Sequence, residues 1–528
     1  MIAGWQVAWA ASQHGDREAL VFEDRRFTFR EANARANRLA NALRAAGIAP
    51  GERVGVLMRN SVEAVDANFG LLKGGFASVP LNDRHTPAEH ADILNDGEVS
   101  VVLAGPGFED AIAEAAAAAP SVRLVVGVGW GDMGYEAFTA AASADEPNVE
   151  VEPSNLMRLT YTSGSTGRPK GVVGTFRRFE ARLDNFFASL EYALGRGHSM
   201  LHVGPLSHVA GNYLLPCFMR GARGIVLPRF DTGAVLDAIE RFRIDHALLV
   251  PTMIVRLVDA IEPGRRDISS LSRINYGTAP IPVETLRRGI GLLGPVFRQH
   301  YGMSEANSPL TLLYPDEHVP DGSPEETARL ASCGRPVAGL DIRVFGPDGH
   351  SLPPGEVGEI VIRSRGAAEV EYWRRPDLTA EAVRDGWFHT GDLGRFDEAG
   401  YLFIVGRIKD MIITGGFNVY AREVEDVLYR HPAVLEAAVC GVQDPEWGEI
   451  VAAMIAPKPG LDIDEADVSA HCSGALAGYK RPRVLVFSDA LPKTGSGKMA
   501  KQAIRPLLQA AHGDLAEQGK TAGVMARY

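Results

Sequence analysis

The chain has 528 residues, which exceeds the size at which one hydrophobic core stops growing, so at least two domains are expected. Its hydrophobic fraction of 46% and charged fraction of 23% are typical of a soluble globular protein and exclude disorder of the whole chain. The net charge of -12 argues against nucleic-acid and anionic-membrane binding, because both rely on an excess of Lys and Arg.

The four cysteines are widely scattered, and no C-x-x-C pair or zinc-ligand spacing is present. Cys217, Cys333, Cys440 and Cys472 therefore predict buried, reduced thiols of a cytoplasmic protein. No apolar run approaches the roughly 20 residues of a membrane-spanning helix. The opening stretch lacks the basic region of a signal peptide and predicts an amphipathic helix instead. The oligomeric state stays open, with a homodimer as one option.

The N-terminal segments predict a hairpin followed by a βαβ unit. ALVFEDRRFTF alternates apolar and polar residues around a turn, which is typical of paired strands. Thr28 and Glu31 have the spacing of a capping box, and Gly47 supplies the end of the helix that they begin. RVGVLM and FASVPL predict strands on either side of a helix over residues 61–73.

The same strand and helix alternation recurs in VSVVLAG, RLVVGVG, LMRLTYTS, GIVLPR and HALLVP, which predicts an α/β fold with mixed sheets covered by helices. Short strands separated by turn signals over residues 331–406 predict a small β-rich subdomain. It completes a large N-terminal domain at residues 1–406. Residues 407–528 predict a small α+β C-terminal domain. The last stretch, from about residue 510, is expected to fray.

The segment from Tyr161 to Gly171 combines three glycines, several hydroxyls and one lysine directly after a strand. Glycines let backbone N–H groups approach a polyphosphate, hydroxyls add donors, and Lys170 adds a cation. A Walker A loop is excluded, because two residues separate Gly167 from Lys170. A bland surface loop fits less well, because α/β ligand sites form where strands end. The segment therefore predicts a phosphate cradle.

Six further motifs follow in order along the chain: GTAP from Gly277, YGMSE from Tyr301, TGD from Thr390, GRIKD from Gly406, GGFN from Gly415 and PKTGSGK from Pro492. With the cradle, they resemble the AMP-forming adenylating superfamily of acyl-CoA and aryl-CoA synthetases, luciferases and peptide-synthetase adenylation domains. The acyl-CoA synthetases are the most similar. The resemblance implies an ATP-dependent carboxylic acid:CoA ligase that forms an acyl-adenylate and releases pyrophosphate.

By this resemblance, the motifs surround ATP. Tyr301 is similar to the aromatic residue that stacks on adenine, and Asp392 with Arg407 to the residues that hold the ribose. Glu305 with Thr162 is similar to the ligands of Mg²⁺. Alone, such residues are usually a core aromatic, a surface ion pair or a solvated carboxylate. The implied ATP-binding residues are Thr162, Ser163, Gly164, Ser165, Thr166, Gly167, Lys170, Gly277, Thr278, Ala279, His300, Tyr301, Gly302, Met303, Ser304, Asp392, Arg407 and Lys498.

Lys498, Glu305 and His208 are the implied catalytic residues. Lys498 would bridge the attacking carboxylate and the α-phosphate, where it would stabilise the charge of the transition state. His208 in PLSHVAG matches a position beside the acid in similar synthetases and would orient its carboxylate. A single His or a C-terminal Lys is usually structural or solvated, so both roles depend on the surrounding motifs.

The attacking thiol needs space that is blocked in the arrangement used for adenylation. Members of the family therefore rotate their small domain between the two steps. The resemblance thus makes residues 407–528 a mobile cap with Lys409 at its hinge. The two glycines of GGFN would leave room for pantetheine, and the basic run YKRPR would face the phosphates of coenzyme A. The alternatives are a tight turn and a solvated face. The implied CoA-binding residues are Gly415, Gly416, Tyr479 and Lys480.

The implied acid pocket contains His208, Gly211, Asn212, Thr278, Met303 and Asn307. Three positions depart from the family pattern: Thr278 stands where many relatives have Gly, Ser304 replaces a commoner Thr, and Phe176 replaces a His of many fatty acyl members. Thr278 is expected to narrow the pocket. No fixed Lys or Arg is evident for a second acid group, which favours a fatty, alicyclic or aromatic monocarboxylic acid.

Three other functions compete with a CoA ligase. An enzyme of this type could load its acid onto a carrier-protein phosphopantetheine, although no carrier segment is attached. A luciferase-like oxygenase would also adenylate an acid. A regulator that only binds nucleotide would retain the cradle alone, and the presence of Glu305, Asp392 and Lys498 disfavours it.

Overall fold

The computed structural model describes residues 1–131, 134–163, 169–306, 309–364, 370–493, 499–517 and 523–527. The described chain divides into two compact units. The first unit comprises Met1–Pro280, Arg287–Asp341 and Ile362–Phe388, and the second comprises Ile281–Leu286, Ile342–Val361 and the chain from His389 onward. The boundary at residue 406 stays a prediction. Six predicted site residues lie outside the described residues: Gly164, Ser165, Thr166, Gly167, Asn307 and Lys498.

The first 150 residues form the hairpin and the βαβ alternation that the sequence predicts. Thr28 accepts a hydrogen bond from the Glu31 amide, and the Glu31 carboxylate accepts one from the Thr28 amide, so the predicted capping box is confirmed. The elements are α1 Trp5–His14, β1 Glu18–Phe22, β2 Arg25–Thr28, α2 Phe29–Ala45, β3 Arg53–Leu57, α3 Val62–Lys73, β4 Ala77–Pro80, α4 Pro87–Asp96, β5 Val99–Ala104, α5 Glu109–Ala117, β6 Leu124–Gly127 and α6 Tyr135–Ala140.

The chain then returns to strands and helices that complete two large sheets of the first unit. The elements are β7 Leu156–Ser163, β8 Pro169–Thr175, α7 Phe176–Ala188, β9 Ser199–His202, α8 Leu214–Arg220, β10 Arg223–Val226, α9 Thr232–Phe242, β11 His246–Leu249, α10 Pro251–Ala260, β12 Arg273–Gly277, α11 Val283–Leu293, β13 Phe297–Tyr301, β14 Thr311–Leu313, α12 Pro324–Ala328 and β15 Arg335–Pro336.

The two sheets have the orders β6-β5-β3-β4-β7-β8 and β15-β14-β13-β12-β11-β9-β10-β1-β2. Most neighbouring strands are parallel, and antiparallel pairs occur at the β7–β8 end of the first sheet and at both ends of the second sheet. β5 shows why the parallel strands are apolar throughout. Val101 and Leu103 belong to one buried cluster, whereas Val102 and Ala104 belong to another, so both faces of the strand are covered. This confirms the predicted α/β class.

The predicted β-rich segment forms a sheet of order β16-β17-β19-β18, and β20 pairs with β19. DIRVFG, GEIVIRS and YLFIVG supply three of these strands, as predicted. The sequence analysis missed β19, whose WFHTGDLGRF contains the TGD motif. The elements are β16 Leu340–Phe345, β17 Gly358–Ser364, α13 Pro376–Ala382, β18 Val383–Arg384, β19 Trp387–Phe396 and β20 Leu402–Arg407.

The C-terminal part of the second unit is a sheet of order β22-β21-β24-β25-β26, with β23 paired to β24. The expectation of a frayed end from residue 510 was wrong for α16, because Ala511 and Leu515 are buried against this sheet's cluster and hold the helix to Glu517. The elements are β21 Met411–Thr414, β22 Phe417–Tyr420, α14 Ala421–Leu428, β23 Val434–Asp444, β24 Gly448–Pro457, α15 Glu465–Ser473, β25 Val484–Phe487, α16 Lys501–Glu517 and β26 Gly523–Arg527.

Two general predictions concern the thiols and the membrane. All four cysteines are buried and free, as expected. Across the described ranges, no helix combines the length and the apolar character that crossing a membrane requires.

Candidate active site

The β7–β8 hairpin brings predicted phosphate-binding residues next to the YGMSE motif. Thr162 and Lys170 are opposite each other in the hairpin register. Thr162 Oγ1 lies 3.5 Å from Glu305 Oε1, a long contact that leaves the carboxylate accessible to other partners. Lys170 Nζ lies 5.7 Å from the centroid of the Tyr372 ring. Thr162, Lys170 and Glu305 therefore occupy one part of the first unit, although the sequence separates them by up to 143 residues.

Tyr372 links these residues, and sequence reasoning missed it. Its hydroxyl donates a hydrogen bond to Glu305, and burial together with that carboxylate raises the pKa of Tyr372 well above its usual value. The backbone holds the segment in place, because the Trp373 amide donates to the Gly171 carbonyl at 2.7 Å. Tyr372 is thus a permanent donor that orients the Glu305 carboxylate.

The Glu305 cluster fits a magnesium ion. Glu305 is half-buried and has hydroxyl groups of Thr162 and Tyr372 nearby, so the donors are hard oxygens, which Mg²⁺ prefers. Within the described part of the chain, no group of three or more His, Cys, Asp or Glu residues could hold a metal ion. A dication here would therefore depend on few protein ligands and on phosphate oxygens, as Mg²⁺ does in nucleotide sites.

The GTAP turn follows β12 and lies beside β13. A Cβ atom on Gly277 would lie 2.1 Å from the His300 carbonyl oxygen, so only glycine fits there. Thr278 is half-buried and has a φ of +70°, a region that β-branched residues rarely adopt. The position that departs from the family pattern is thus also a position of backbone strain. The turn is held in this shape by its surroundings.

The YGMSE motif begins at the end of β13. Tyr301 is buried, Gly302 and Met303 are half-buried, and Ser304 is exposed. His300 is buried, and its Nδ1 atom has no hydrogen-bond partner among the described residues. Burial, with a smaller contribution from Arg298, lowers the pKa of His300 to about 4, so its imidazole is neutral at pH 7. Stacking of adenine on Tyr301 stays a prediction.

The predicted ribose-binding pair is joined across two strands of the second unit. Asp392 of β19 and Arg407 of β20 are register partners, and Arg407 Nε lies 3.2 Å from Asp392 Oδ1. The Asp392 side chain is 9% exposed and that of Arg407 is 51% exposed, so the pair presents its cation to solvent. The Thr390 hydroxyl accepts from the Asp392 amide at 3.0 Å, a local contact within the TGD segment of β19. The arrangement provides one acceptor and one donor group for a diol.

The residues predicted for coenzyme A lie in the second unit. Gly415 and Gly416 form a two-residue turn between β21 and β22, both with positive φ, which is the geometry of a tight hairpin. Tyr479 stacks on the Phe417 ring with centroids 4.8 Å apart. Lys480 Nζ binds both carboxylate oxygens of Glu423, at 2.6 and 2.9 Å. The hairpin alternative is therefore real, and the CoA role stays a prediction.

Lys409, the predicted hinge residue, is exposed in a 3₁₀ turn at Ile408–Asp410 that follows β20. The turn separates the strand that carries Arg407 from β21. Its role as a hinge stays a prediction.

His208 begins a 3₁₀ turn at Val209–Tyr213, and its Nδ1 atom lies 2.8 Å from the Ser207 hydroxyl. In this turn, a Cβ atom on Gly211 would lie 2.1 Å from the Leu206 carbonyl oxygen, so this predicted pocket residue has a packing role.

A small cavity lies beside this turn in the first unit. Asn212 was predicted to line the acid pocket and does line this cavity. His300 was predicted to bind ATP and lines the same cavity. Arg182 was not predicted; α7 places it here because Phe179, Leu183 and Phe186 face inward at helical spacing. The residues that line the cavity include Arg182, Leu183, Phe186, Asn212, Tyr213 and His300.

With this geometry in place, comparison with known proteins gives the class. The sequence profile of the AMP-binding enzyme family matches residues 7–373, and that of the AMP-binding enzyme C-terminal domain matches residues 423–498. The chain belongs to the AMP-binding enzyme family.

Individual relatives cover nearly the whole chain. A feruloyl-CoA synthase from an Amycolatopsis species is 38% identical over 90% of this chain and 93% of its own. The medium/long-chain-fatty-acid–CoA ligase FadD8 of Mycobacterium tuberculosis is 33% identical over 95% and 89%. The crystal structure of the anthranilate CoA ligase AuaEII with anthranoyl-AMP is 27% identical, with a TM-score of 0.88 over 97% of this chain and 98% of that chain.

Proposed function

We propose that this protein is an AMP-forming carboxylic acid:CoA ligase that acts on a fatty, alicyclic or aromatic acid. The observation that carries the proposal is the convergence of Thr162, Lys170 and Glu305 around Tyr372, because it provides a cation and a metal-binding carboxylate beside the phosphate cradle. Relatives that activate ferulate, fatty acids and anthranilate as CoA esters support the same chemistry.

The first half-reaction joins the acid to ATP. A carboxylate oxygen attacks the α-phosphorus, the bond to the bridging oxygen breaks, and pyrophosphate leaves. Lys170 lies where it can neutralise phosphate charge, and Glu305 with Thr162 would hold Mg²⁺, which stabilises negative charge on the phosphates when bound. Asp392 and Arg407 would hold the ribose. Lys498 would stabilise the charge at the α-phosphorus, a role that rests on the resemblance.

The second half-reaction transfers the acyl group to a thiol. The thiolate attacks the acyl carbon of the adenylate, and AMP leaves as the thioester forms. Gly415 and Gly416 would line the approach of pantetheine, because glycine leaves space that a side chain would fill. Rotation of residues 407–528 about Lys409 between the two steps completes the proposal, and the cytoplasm is its proposed location.

The test measures pyrophosphate and AMP release with ATP, Mg²⁺ and a panel of acids, with and without CoA. We expect Lys498→Ala to reduce adenylation by about 100-fold or more, while thioester formation from supplied acyl-adenylate stays largely intact. Glu305→Gln should reduce adenylation similarly and raise the Mg²⁺ requirement. Asp184→Asn, at an exposed position of α7, serves as the control for loss of a carboxylate.

Other outcomes would reject the proposal. Release of ADP and orthophosphate would exclude the chemistry, and equal loss of both half-reactions in Lys498→Ala would exclude its role. Thioester formation on a holo-carrier protein but not on CoA would identify a carrier-loading enzyme. Oxygen uptake during turnover would identify a luciferase-like oxygenase.

A further inference from the structure

The cavity beside α7 is apolar on most of its wall, yet a guanidinium group reaches it. Leu183, Phe186 and Tyr213 provide hydrophobic surface. Arg182, on the same side of the helix, donates a hydrogen bond to Asn212 Oδ1 and lies over the Phe179 ring at 5.4 Å. A cation that reaches an apolar cavity is uncommon, because burial of charge without a counter-charge is costly.

The surroundings of Arg182 add positive charge. Arg158 and Arg178 both act on it as like charges. Arg158 donates to the Ser207 carbonyl at 2.6 Å, and Arg178 donates to the Glu305 carbonyl at 2.6 Å, so neutral backbone oxygens accept these hydrogen bonds. In the ranges that the structure describes, no carboxylate forms an ion pair with Arg182 or Arg158.

Two independent observations indicate that the cavity is incomplete without a ligand. The side-chain partner of Arg182 is the neutral amide oxygen of Asn212, and burial, followed by repulsion from Arg158 and Arg178, lowers the pKa of Arg182 to about 9. On another wall, His300 Nδ1 is buried and has no hydrogen-bond partner among the described residues. Buried polar atoms are nearly always satisfied, so an unsatisfied atom in a cavity wall points to a missing partner.

We infer that the acid activated by this protein carries a second oxygen acceptor, remote from its reacting carboxyl group, which Arg182 and Asn212 bind inside this cavity. The inference rests on the proposed function and names the substrate class of the same site. Apolar side chains form most of the cavity wall. Its apolar wall fits a ring or alkyl chain, and its cation fits the oxygen at the far end.

Both neutral and charged oxygens share this chemistry. A phenol, ether or ketone oxygen would accept from Arg182 and keep the acid monocarboxylic. A second carboxylate would accept the same hydrogen bonds and also neutralise the arginine cluster, which makes it the stronger partner in electrostatic terms. The guanidinium offers five N–H donors, so its bond to Asn212 leaves donors for either group.

The experiment compares acids that differ only at the remote position, in pyrophosphate release and thioester formation. Cinnamate is compared with 4-hydroxycinnamate and 4-carboxycinnamate, and octanoate with 7-oxooctanoate and octanedioate. We expect kcat/KM to be at least about tenfold higher for a remote-oxygen acid than for its parent. The 4-hydroxy and 7-oxo acids identify a neutral acceptor, and the two diacids identify a carboxylate.

Substitutions assign the preference to Arg182. We expect Arg182→Leu to abolish it, so that the ratio of kcat/KM between each remote-oxygen acid and its parent falls to about one. Arg182→Lys should retain part of the preference, because one of the donors remains. Arg177→Leu, at an exposed position of the same helix, is the matched control. Should Arg182→Leu not fold, protection of the wild-type protein against heat by the remote-oxygen acid, and not by its parent, is the second measurement.

Three results would overturn the inference: wild-type preference for the parent acids, an equal loss for all acids in Arg182→Leu, or equal thermal protection by both classes of acid. Failure of the proposed function would look different, because no acid of either class would then release pyrophosphate.

Discussion

Two arginines of the first unit and three lysines of the second unit differ in their partners. Arg158 and Arg182 contact carbonyl, hydroxyl, amide and aromatic groups of the first unit. In the second unit, three lysines bind one glutamate each: Lys480 with Glu423, Lys493 with Glu436 and Lys501 with Glu425. A cation paired within the chain serves the fold, whereas a buried cation without an internal anion remains available to a ligand.

Histidines of the two units also differ in their surroundings. Burial lowers the pKa of His202 and His300 in the first unit to about 4. In the second unit, His389 Nδ1 lies 2.8 Å from Glu359 and His512 Nε2 lies 3.1 Å from Asp444. Burial therefore disfavours protonation of His202 and His300, which makes acid a way to destabilise the strands that carry them.

Acidification should produce the largest effect. The pKa of His202 or His300 is about 4 in the folded state, and an unfolded histidine has its ordinary value near 6.5, so the unfolded state alone binds protons between these values. Stability is unaffected above pH 6.5 and falls as the pH drops from 6.5 to 4, by about 2 kcal/mol per histidine at pH 5.

Hydrogen exchange at pH 7.5 and pH 5, corrected for the intrinsic exchange rate, checks this expectation. Protection should fall more in strands β9 to β13 than in β23 and β24, and His202→Asn should reduce the difference. Equal loss of protection in both units would break the comparison.

A carboxylate introduced beside Arg182 should have the next largest effect. Asn212→Asp changes no volume and gives Arg182 an internal anion in place of a neutral acceptor. We expect kcat/KM for remote-oxygen acids to fall by about 10- to 100-fold while the free energy of unfolding rises. Denaturant unfolding and the acid panel measure the two changes. An unchanged acid preference would show that the cation does not serve the ligand.

Gly415 and Gly416 test whether the second unit binds CoA through open space at this hairpin. Its lysines are already paired with glutamates. A Cβ atom on Gly415 would lie 2.8 Å from the Trp447 ring, whereas one on Gly416 would meet no atom within 4 Å. We expect Gly415→Ala to cost about 2 kcal/mol of unfolding free energy and Gly416→Ala about 1 kcal/mol, because both have positive φ.

If these glycines line the path of the thiol, Gly416→Ala should still raise the KM for CoA several-fold, despite its smaller cost in stability. If the KM for CoA changes only in proportion to the loss of stability, the two glycines serve the hairpin turn and do not line the path of the thiol.

The smallest effect is expected at the Lys480–Glu423 pair, which is partly exposed. Lys480→Met should change the unfolding free energy by less than about 1 kcal/mol and raise the KM for CoA less than about threefold, because Glu423 already neutralises the lysine. Glu423→Gln should lower that KM by releasing the charge. A tenfold or greater rise in KM for Lys480→Met would instead place the lysine on the phosphates of CoA.

Local sequence signals predicted the parts of the fold that depend on neighbours in the chain. Thr28 and Glu31 lie three residues apart and form their capping box, and the strand of VSVVLAG is as buried as its apolar run indicates. β19 was missed because its TGD turn residues interrupt the apolar pattern, and the end of α16 because Ala511 and Leu515 are held by tertiary burial.

The site was predictable where a motif carries it. Asp392 and Arg407 were assigned to one ligand group, and strand register brings them together. Tyr372 carries no motif, so only its contact with Glu305 reveals it. Arg182 could have been suspected from α7, since it occurs among inward-facing phenylalanines. The absence of a carboxylate partner for Arg182 among the described residues, however, depends on tertiary contacts that the local sequence does not show.

Thr278, in the turn beside β12, links backbone strain to the predicted acid pocket. A β-branched residue at φ +70° is strained, so glycine there would relax the backbone and make the protein harder to melt. If Thr278 borders the acid as the resemblance implies, the same change would remove a methyl and a hydroxyl group there and admit bulkier acids. Directed evolution for breadth of acid choice would therefore gain thermal robustness at this position, contrary to the usual trade-off between activity and stability.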